Sequence, residues 1–187
     1  MESASFAFKV ENGAIISLVW DFNLLPLTVF EWMDGLAIRE LGFKGGPTVS
    51  PQIAPRLPSL EYLHCSGISL TELDLSSVPG LTDLGCSGNQ LTELDLSNVP
   101  GLTELSCSEN QLTELDLASV PGLTDLRCWE NQLTELDLSN VPGLTKLSCQ
   151  KNQFTELDIQ PLKNLDLQTF ICDSSITIKK RPDQNLE

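Results

Sequence analysis

The chain has 187 residues, 41% hydrophobic and 20% charged, a composition that fits one globular domain with a sizeable core. Its formal net charge is −15 and its pI is near 4.2, so its surface would repel DNA, RNA and anionic membranes. This charge favours basic proteins or cations as partners.

The first 36 residues are predicted to form a β-hairpin followed by a short helix. Apolar residues alternate over 6–10, Asn12-Gly13 is a two-residue turn signal, and 15–20 reads as the return strand. A helix is expected near 24–33. We expect residues 1–36 to cap the remainder of the fold, because an open strand edge invites aggregation. The alternative is that they are the remnant of a different domain.

The central part of the chain repeats itself every 21 residues, with the template LxxLxCxxNxLxxLDLxxVPG. Its five copies begin at Leu60, Leu81, Leu102, Leu123 and Leu144. In each copy a Leu-x-Cys alternates as strands do, as does a Leu-Asp-Leu that becomes Leu-Asp-Ile in the fifth copy, and Pro-Gly closes the first four units as a turn. The pattern predicts a solenoid of short coils, whose parallel strands stack about 4.8 Å apart.

This template resembles the leucine-rich repeat, whose hallmark is LxxLxLxxNxL, over roughly Ile38 to Cys172. The second half, LTELDLSNVPG, departs from the commonest classes, which place a helix or 3₁₀ segment there. It looks like the irregular 21-residue class of bacterial proteins. The resemblance implies a mainly β solenoid with little helix, and a ligand face on the sheet formed by the first strands.

The ends of the solenoid are predicted to differ from its middle. We assign 37–166 to the solenoid, with a degenerate first coil over 37–59 that places Phe43 at the cysteine position. Residues 167–187 form a C-terminal cap and tail, in which the pattern restarts two residues late and ends at Cys172. The polar tail is expected to fray from Lys179.

The six cysteines are spaced by 21, 21, 21, 21 and 23 residues and occupy a leucine-like inward position. We interpret them as core thiols, since metal sites usually use CxxC pairs and in-register parallel side chains suit a disulfide poorly. This favours a reduced, intracellular setting. His64 beside Cys65 points outward, which excludes a nucleophile–base pair. We expect neither catalysis nor a cofactor, and find no secretory signal or membrane-spanning segment.

Two further columns of side chains run along the stack. Asn89, Asn110, Asn131 and Asn152 are predicted to satisfy backbone groups of neighbouring coils. A row of carboxylates follows the second strand, where like charges repel by about 0.9 kcal/mol per neighbouring pair in water. We interpret this row as a solvated face. The alternative is a Ca²⁺ ladder formed by Glu93, Asp95, Glu114, Asp116, Glu135 and Asp137.

The copies differ mainly on the outward side of the first strand, where a partner could discriminate among them. The candidate partner-binding residues are Tyr62, His64, Asp83, Glu104, Asp125, Arg127, Trp129, Glu130, Lys146, Gln150 and Lys151. Arg127, Trp129, Lys146 and Lys151 form the only basic island predicted on an acidic stack, and exposed Trp and Arg are favoured interface anchors.

The function that these observations favour is non-catalytic binding of a protein partner. One alternative is a structural or surface-adhesion protein that depends on Ca²⁺ through the carboxylate row. Another is a recognition module of a larger effector enzyme. Drift after duplication would also explain the variable face.

Overall fold

The computed structural model describes residues 7–12, 14–21, 37–44 and 57–184. Within these ranges the chain is a stack of short coils built from strands and turns, without helix. The strands are β1 (Ala7–Glu11), β2 (Ala14–Asp21), β3 (Glu40–Lys44), β4 (Tyr62–His64), β5 (Asp83–Gly85), β6 (Glu104–Ser106), β7 (Asp125–Arg127), β8 (Lys146–Ser148), β9 (Glu156–Asp158) and β10 (Thr177–Lys179).

Strands β1 to β8 form one eight-stranded sheet in chain order. From β2 onward every pairing is parallel, and each coil lies in register with the next, so that Leu63, Leu84 and Leu105 stand side by side. The constant 21-residue spacing fixes this register, because each coil consumes the same length of chain. The predicted solenoid is confirmed.

The N-terminal hairpin is confirmed where the structure describes it. Strands β1 and β2 pair antiparallel, and Asn12 turns the chain with a φ of 51°. Strand β2 then pairs in parallel with β3, which makes the hairpin continuous with the solenoid sheet. The helix predicted near 24–33 lies outside the described residues, and the domain boundaries at 36, 59 and 166 stay predictions.

Apolar columns fill the interior of the stack. The leucines of the first strands, the valines of the Val-Pro-Gly turns and the cysteines of the five repeats are all buried, mostly with no exposed surface. Phe43 is also buried. It follows Gly42, which pairs with His64, so it corresponds to Cys65 and lies in the cysteine column as predicted. Burial of each Leu or Val side chain contributes about 1.5–3 kcal/mol, so repeated columns stabilise the stack without a helix.

The C-terminal end closes differently from the prediction. The two extra residues of the last coil are taken up by a turn over 167–169, after which Ile171 bridges to Ser148. Strand β10 pairs in parallel with β9, and the buried Gln184 amide donates to the carbonyls of Ile159 (3.0 Å) and Leu162 (2.9 Å). The expectation that the tail frays from Lys179 is therefore wrong up to Gln184, because these hydrogen bonds hold it.

Candidate functional site

The outward side of β4–β8 forms two side-by-side columns, which we call the first-strand face. The third residue of each repeat lies in one column and the fifth in the other, and pairing aligns them across the coils. The first column contains Tyr62, Asp83, Glu104, Asp125 and Lys146, and the second contains His64, Gly85, Ser106, Arg127 and Ser148. The sequence-predicted residues of both columns are thus brought together on one sheet.

A shallow groove of about 280 Å³ runs over this face from His64 to Arg127. It exists because its centre is occupied by the smallest side chains of the fifth-residue column, Gly85 and Ser106. A β-carbon at Gly85 would lie 3.1 Å from Nδ1 of His64, so the histidine ring leans over the glycine. The Ser106 hydroxyl hydrogen-bonds with that of Ser87 at 2.9 Å.

The predicted basic island is a network of ion pairs. Oδ2 of Asp125 lies 3.1 Å from an Arg127 guanidinium nitrogen and 3.4 Å from Nζ of Lys146. Nζ of Lys151 pairs with Glu130 of the preceding coil, which raises the pKa of Lys151. The three cations are thus paired with carboxylates of the stack but keep more than half of their side-chain surface exposed, and their role in binding stays a prediction. Asp125 is 6% exposed, because the two cations cover it, and it offers a partner little surface.

Trp129 lies beside this network, half-buried, in the column of seventh residues. Its neighbours in that column are Ser108, which is 1% exposed, and the half-buried Gln150. Within residues 57–184, Ser108 Oγ and Gln150 Oε1 are buried without a hydrogen-bond partner. Trp129 is consequently partly exposed rather than fully exposed.

The eighth residue of every repeat has a left-handed backbone. Its φ is 69° at Gly67, 67° at Gly88, 54° at Glu109, 54° at Glu130 and 58° at Lys151. This conformation costs an L-residue about 1–2 kcal/mol and costs glycine almost nothing. Variation at this position therefore has a backbone component that we did not predict, although the glycines of the first two coils were the signal for it.

Along the carboxylate row, each aspartate of a Leu-Asp-Leu segment accepts a hydrogen bond from the turn that follows it. Oδ1 of Asp95 accepts the backbone N–H of Ser97 at 2.8 Å, and the same bond recurs in the other coils. Hydrogen bonds from the serine hydroxyl and N–H lower the pKa of Asp95 below its ordinary value. The aspartates thus have a structural role that their spacing alone did not reveal.

The carboxylate row lines two grooves larger than the one on the first-strand face. One, of about 560 Å³, covers the first three coils, and the other, of about 780 Å³, continues from Glu114 to Asp158. Within the described ranges, no three His, Cys, Asp or Glu side chains are arranged to hold a metal ion. The row thus offers no preformed Ca²⁺ site, and Ca²⁺ binding stays an untested hypothesis.

Five of the six cysteines are buried as predicted, Cys172 is only half-buried, and all six thiols are free. Burial raises the pKa of Cys65 and of Cys107 to about 12, so the nucleophilic thiolate is absent near neutral pH. Cys65 lies inside while His64 lies outside, in the groove. The described residues therefore do not form the nucleophile–base pair that their adjacency in sequence invites.

The asparagine column performs the predicted role. Oδ1 of Asn110 accepts the N–H of Leu91 at 3.0 Å, and its amide donates to the carbonyls of Cys86 and Cys107, both at 3.0 Å. A threonine column that we did not predict adds a second set of bonds. Each of its hydroxyls donates at 3.0–3.1 Å to the previous coil's carbonyl, as Thr103 does to Thr82. Its signal was a threonine recurring every 21 residues.

Comparison with solved structures places this architecture among bacterial proteins. The functional domain of InlJ from Listeria monocytogenes, which includes a cysteine ladder, is 30% identical with a TM-score of 0.63. It matches over 72% of this chain and 35% of that one. Internalin C2 from Listeria monocytogenes is 27% identical with a TM-score of 0.65, over 81% of this chain and 65% of that one.

A leucine-rich repeat protein of Leptospira interrogans shares the fold at 20% identity and a TM-score of 0.61, over 88% of this chain and 48% of its own. The chain thus spans about a third to two thirds of the length of these structures. No protein-family model and no curated protein sequence matches it.

The asparagine column, the parallel first-strand sheet and these similarities define a leucine-rich-repeat solenoid. The chain is a leucine-rich repeat protein with a 21-residue repeat of the bacterial type. In the described part of the chain, no helix has the length and apolar character needed to cross a membrane.

Proposed function

We propose that the chain is a non-catalytic module that binds a protein partner through the first-strand face. The observation that carries this proposal is the contrast between the two faces of one stack. The carboxylate row keeps Thr, Glu and Asp at the same three positions in all five copies, whereas the columns of the first-strand face differ from coil to coil around a groove. A surface of varied side chains on a common scaffold can discriminate between partners.

The scaffold supports this role energetically. Each coil is tied to the next by strand, asparagine and threonine hydrogen bonds, so the face is preorganised. A preorganised surface loses little conformational entropy on association, which leaves more of the contact energy for affinity. The net charge of −15 supports a protein partner with basic character and opposes nucleic acid.

Site-specific photocrosslinking tests which face binds. p-Benzoylphenylalanine replaces Tyr62, which is 42% exposed on the first-strand face, or Thr113, which is exposed on the carboxylate row. The captured protein is identified and purified, and its affinity is measured for the unmodified chain. We expect specific crosslinks from position 62. If a protein that binds the unmodified chain is crosslinked from position 113 and not from position 62, the assignment of binding to the first-strand face is refuted.

Trp129→Ala provides the quantitative test of the same proposal. Truncation of an aromatic anchor at an interface typically costs about 1–3 kcal/mol, which corresponds to roughly a 5- to 150-fold weaker Kd. The melting temperature should change little, because Trp129 is only half-buried. Glu93→Gln on the carboxylate row serves as the control and should leave the Kd unchanged. A collapse in the melting temperature would instead make Trp129 a packing residue.

A further inference from the structure

The column of third residues already shows how it holds a cation. The Asp125 carboxylate forms ion pairs with two cations. One is Arg127, two residues later in the same coil, and the other is Lys146, at the same position in the next coil. Both contact one carboxylate oxygen, at 3.1 Å and 3.4 Å. The fourth coil therefore defines two cation positions around a carboxylate of this column.

The second and third coils keep the carboxylates but lack the cations. Where the fourth coil has Arg127, these coils have Gly85 and Ser106. Lys146 is the third residue of the coil after the fourth. The residues that correspond to it, one coil after Asp83 and after Glu104, are Glu104 and Asp125, which are themselves acidic. Asp83 and Glu104 stand opposite each other in adjacent strands, and neither forms an ion pair within residues 57–184.

The space for a cation is also present. The groove of about 280 Å³ is lined by Asp83, Gly85, Glu104 and Ser106, and it ends at His64 on one side and at Arg127, which pairs with Asp125, on the other. This volume is several times the roughly 30 Å³ that one water occupies in the liquid. Its walls carry the carboxylates of Asp83 and Glu104, and the small residues Gly85 and Ser106 leave space beside them, which suits the charged head of a long basic side chain.

We propose that this groove binds an arginine side chain of an extended partner segment, with the guanidinium between Asp83 and Glu104. The proposal rests on the proposed function of the first-strand face and specifies the partner's chemistry. Neighbouring strands hold the two carboxylates about 4.8 Å apart at the backbone, a spacing that one planar guanidinium with five donors can bridge. Lysine, a point donor, would bind more weakly at the same place.

A defined peptide tests this inference. The probe is a fluorescein-labelled nonapeptide of alternating glycine and arginine, compared with peptides that carry lysine or neutral citrulline instead. Binding to the full chain is measured by fluorescence anisotropy at 150 mM NaCl, where long-range attraction is screened. We expect the arginine peptide to bind at least threefold tighter than the lysine peptide, and the citrulline peptide not to bind.

Two charge-matched double variants locate the site. Asp83→Asn with Glu104→Gln removes two carboxylates from the groove, and Glu93→Gln with Glu114→Gln removes two from the opposite row. The groove variant should weaken binding of the arginine peptide at least tenfold, and the row variant less than threefold. Equal losses in the two variants, or no binding by the unmodified chain, would overturn the proposal.

Ser106→Arg supplies a third test that retains both carboxylates. It recreates in the third coil the arrangement of Arg127 and Asp125, so the new guanidinium should occupy Glu104 and exclude the peptide. Circular dichroism confirms that the variant folds. A partner crosslinked at position 62 that binds the Asp83→Asn, Glu104→Gln variant unchanged would refute the arginine site and leave the interface proposal standing.

Discussion

Asn89 and Asn110 occupy the same column, and we expect their replacement by alanine to have unequal costs. Removal of the Asn110 side chain leaves the N–H of Leu91 without its acceptor. The carbonyls of Cys86 and Cys107 each keep a hydrogen bond from the asparagine of an adjacent coil. One buried donor therefore loses its partner completely.

Asn89 belongs to the second repeat, and Ile68 replaces the preceding asparagine of the column in the first. Its Oδ1 accepts the N–H groups of both Ile68 (3.1 Å) and Leu70 (3.0 Å). Its amide donates at 2.8 Å to the Cys65 carbonyl, which no second asparagine reaches in the described coils. Three buried groups would therefore lose their partners.

An orphaned buried donor or acceptor costs about 1–3 kcal/mol. The free energy of unfolding should accordingly fall by about 2 kcal/mol for Asn110→Ala and by about 5 kcal/mol for Asn89→Ala, from one and three orphaned groups respectively. Ordinary large-to-small substitution would not produce this difference, because both side chains are 8% exposed and lose the same atoms.

Urea denaturation followed by far-UV circular dichroism measures both variants, with tryptophan fluorescence as a check that unfolding is cooperative. Asn98→Ala is the control, because Asn98 is exposed and its amide contacts only the neighbouring Ser97 hydroxyl. It should change stability by less than about 0.5 kcal/mol. Equal costs for Asn89→Ala and Asn110→Ala would refute the assignment of stability to these hydrogen bonds.

Four further predictions concern the backbone, the thiols and Ca²⁺. Because φ is 54° at residue 109 and 67° at residue 88, Glu109→Gly should stabilise the chain and Gly88→Ala destabilise it, each by about 1 kcal/mol in urea titrations; the same sign for both would contradict the argument. A thiol reagent at pH 8 should modify Cys172 first, since the other five cysteines are buried. Because burial raises the pKa of Cys65 and Cys107 from 9.0 to about 12, the contribution of these thiols to stability should be constant below pH 9 and fall as the pH rises toward 12. Millimolar Ca²⁺ should raise the melting temperature no more than NaCl of matched ionic strength; a Ca²⁺-specific rise would support the carboxylate ladder.

The sequence by itself determined the architecture of this protein. A 21-residue period fixes the length of each coil, and equal coils stack in register, so every column and the face it belongs to follow from counting. The inward cysteines and the bonding role of the asparagines follow in the same way. These features depend on the spacing of residue types along the chain, which a single sequence contains.

Only the tertiary structure decided which charged side chains form ion pairs and which backbone conformations the turns adopt. Whether Arg127 and Lys146 are available to a partner depends on Asp125 lying within reach of both, across two coils, and the sequence pattern left that open. The left-handed eighth residue and the docked Gln184 likewise depend on the path of the backbone and on distant carbonyls. An ion pair or a hydrogen bond requires particular distances and directions, and these are set only when the coils are stacked.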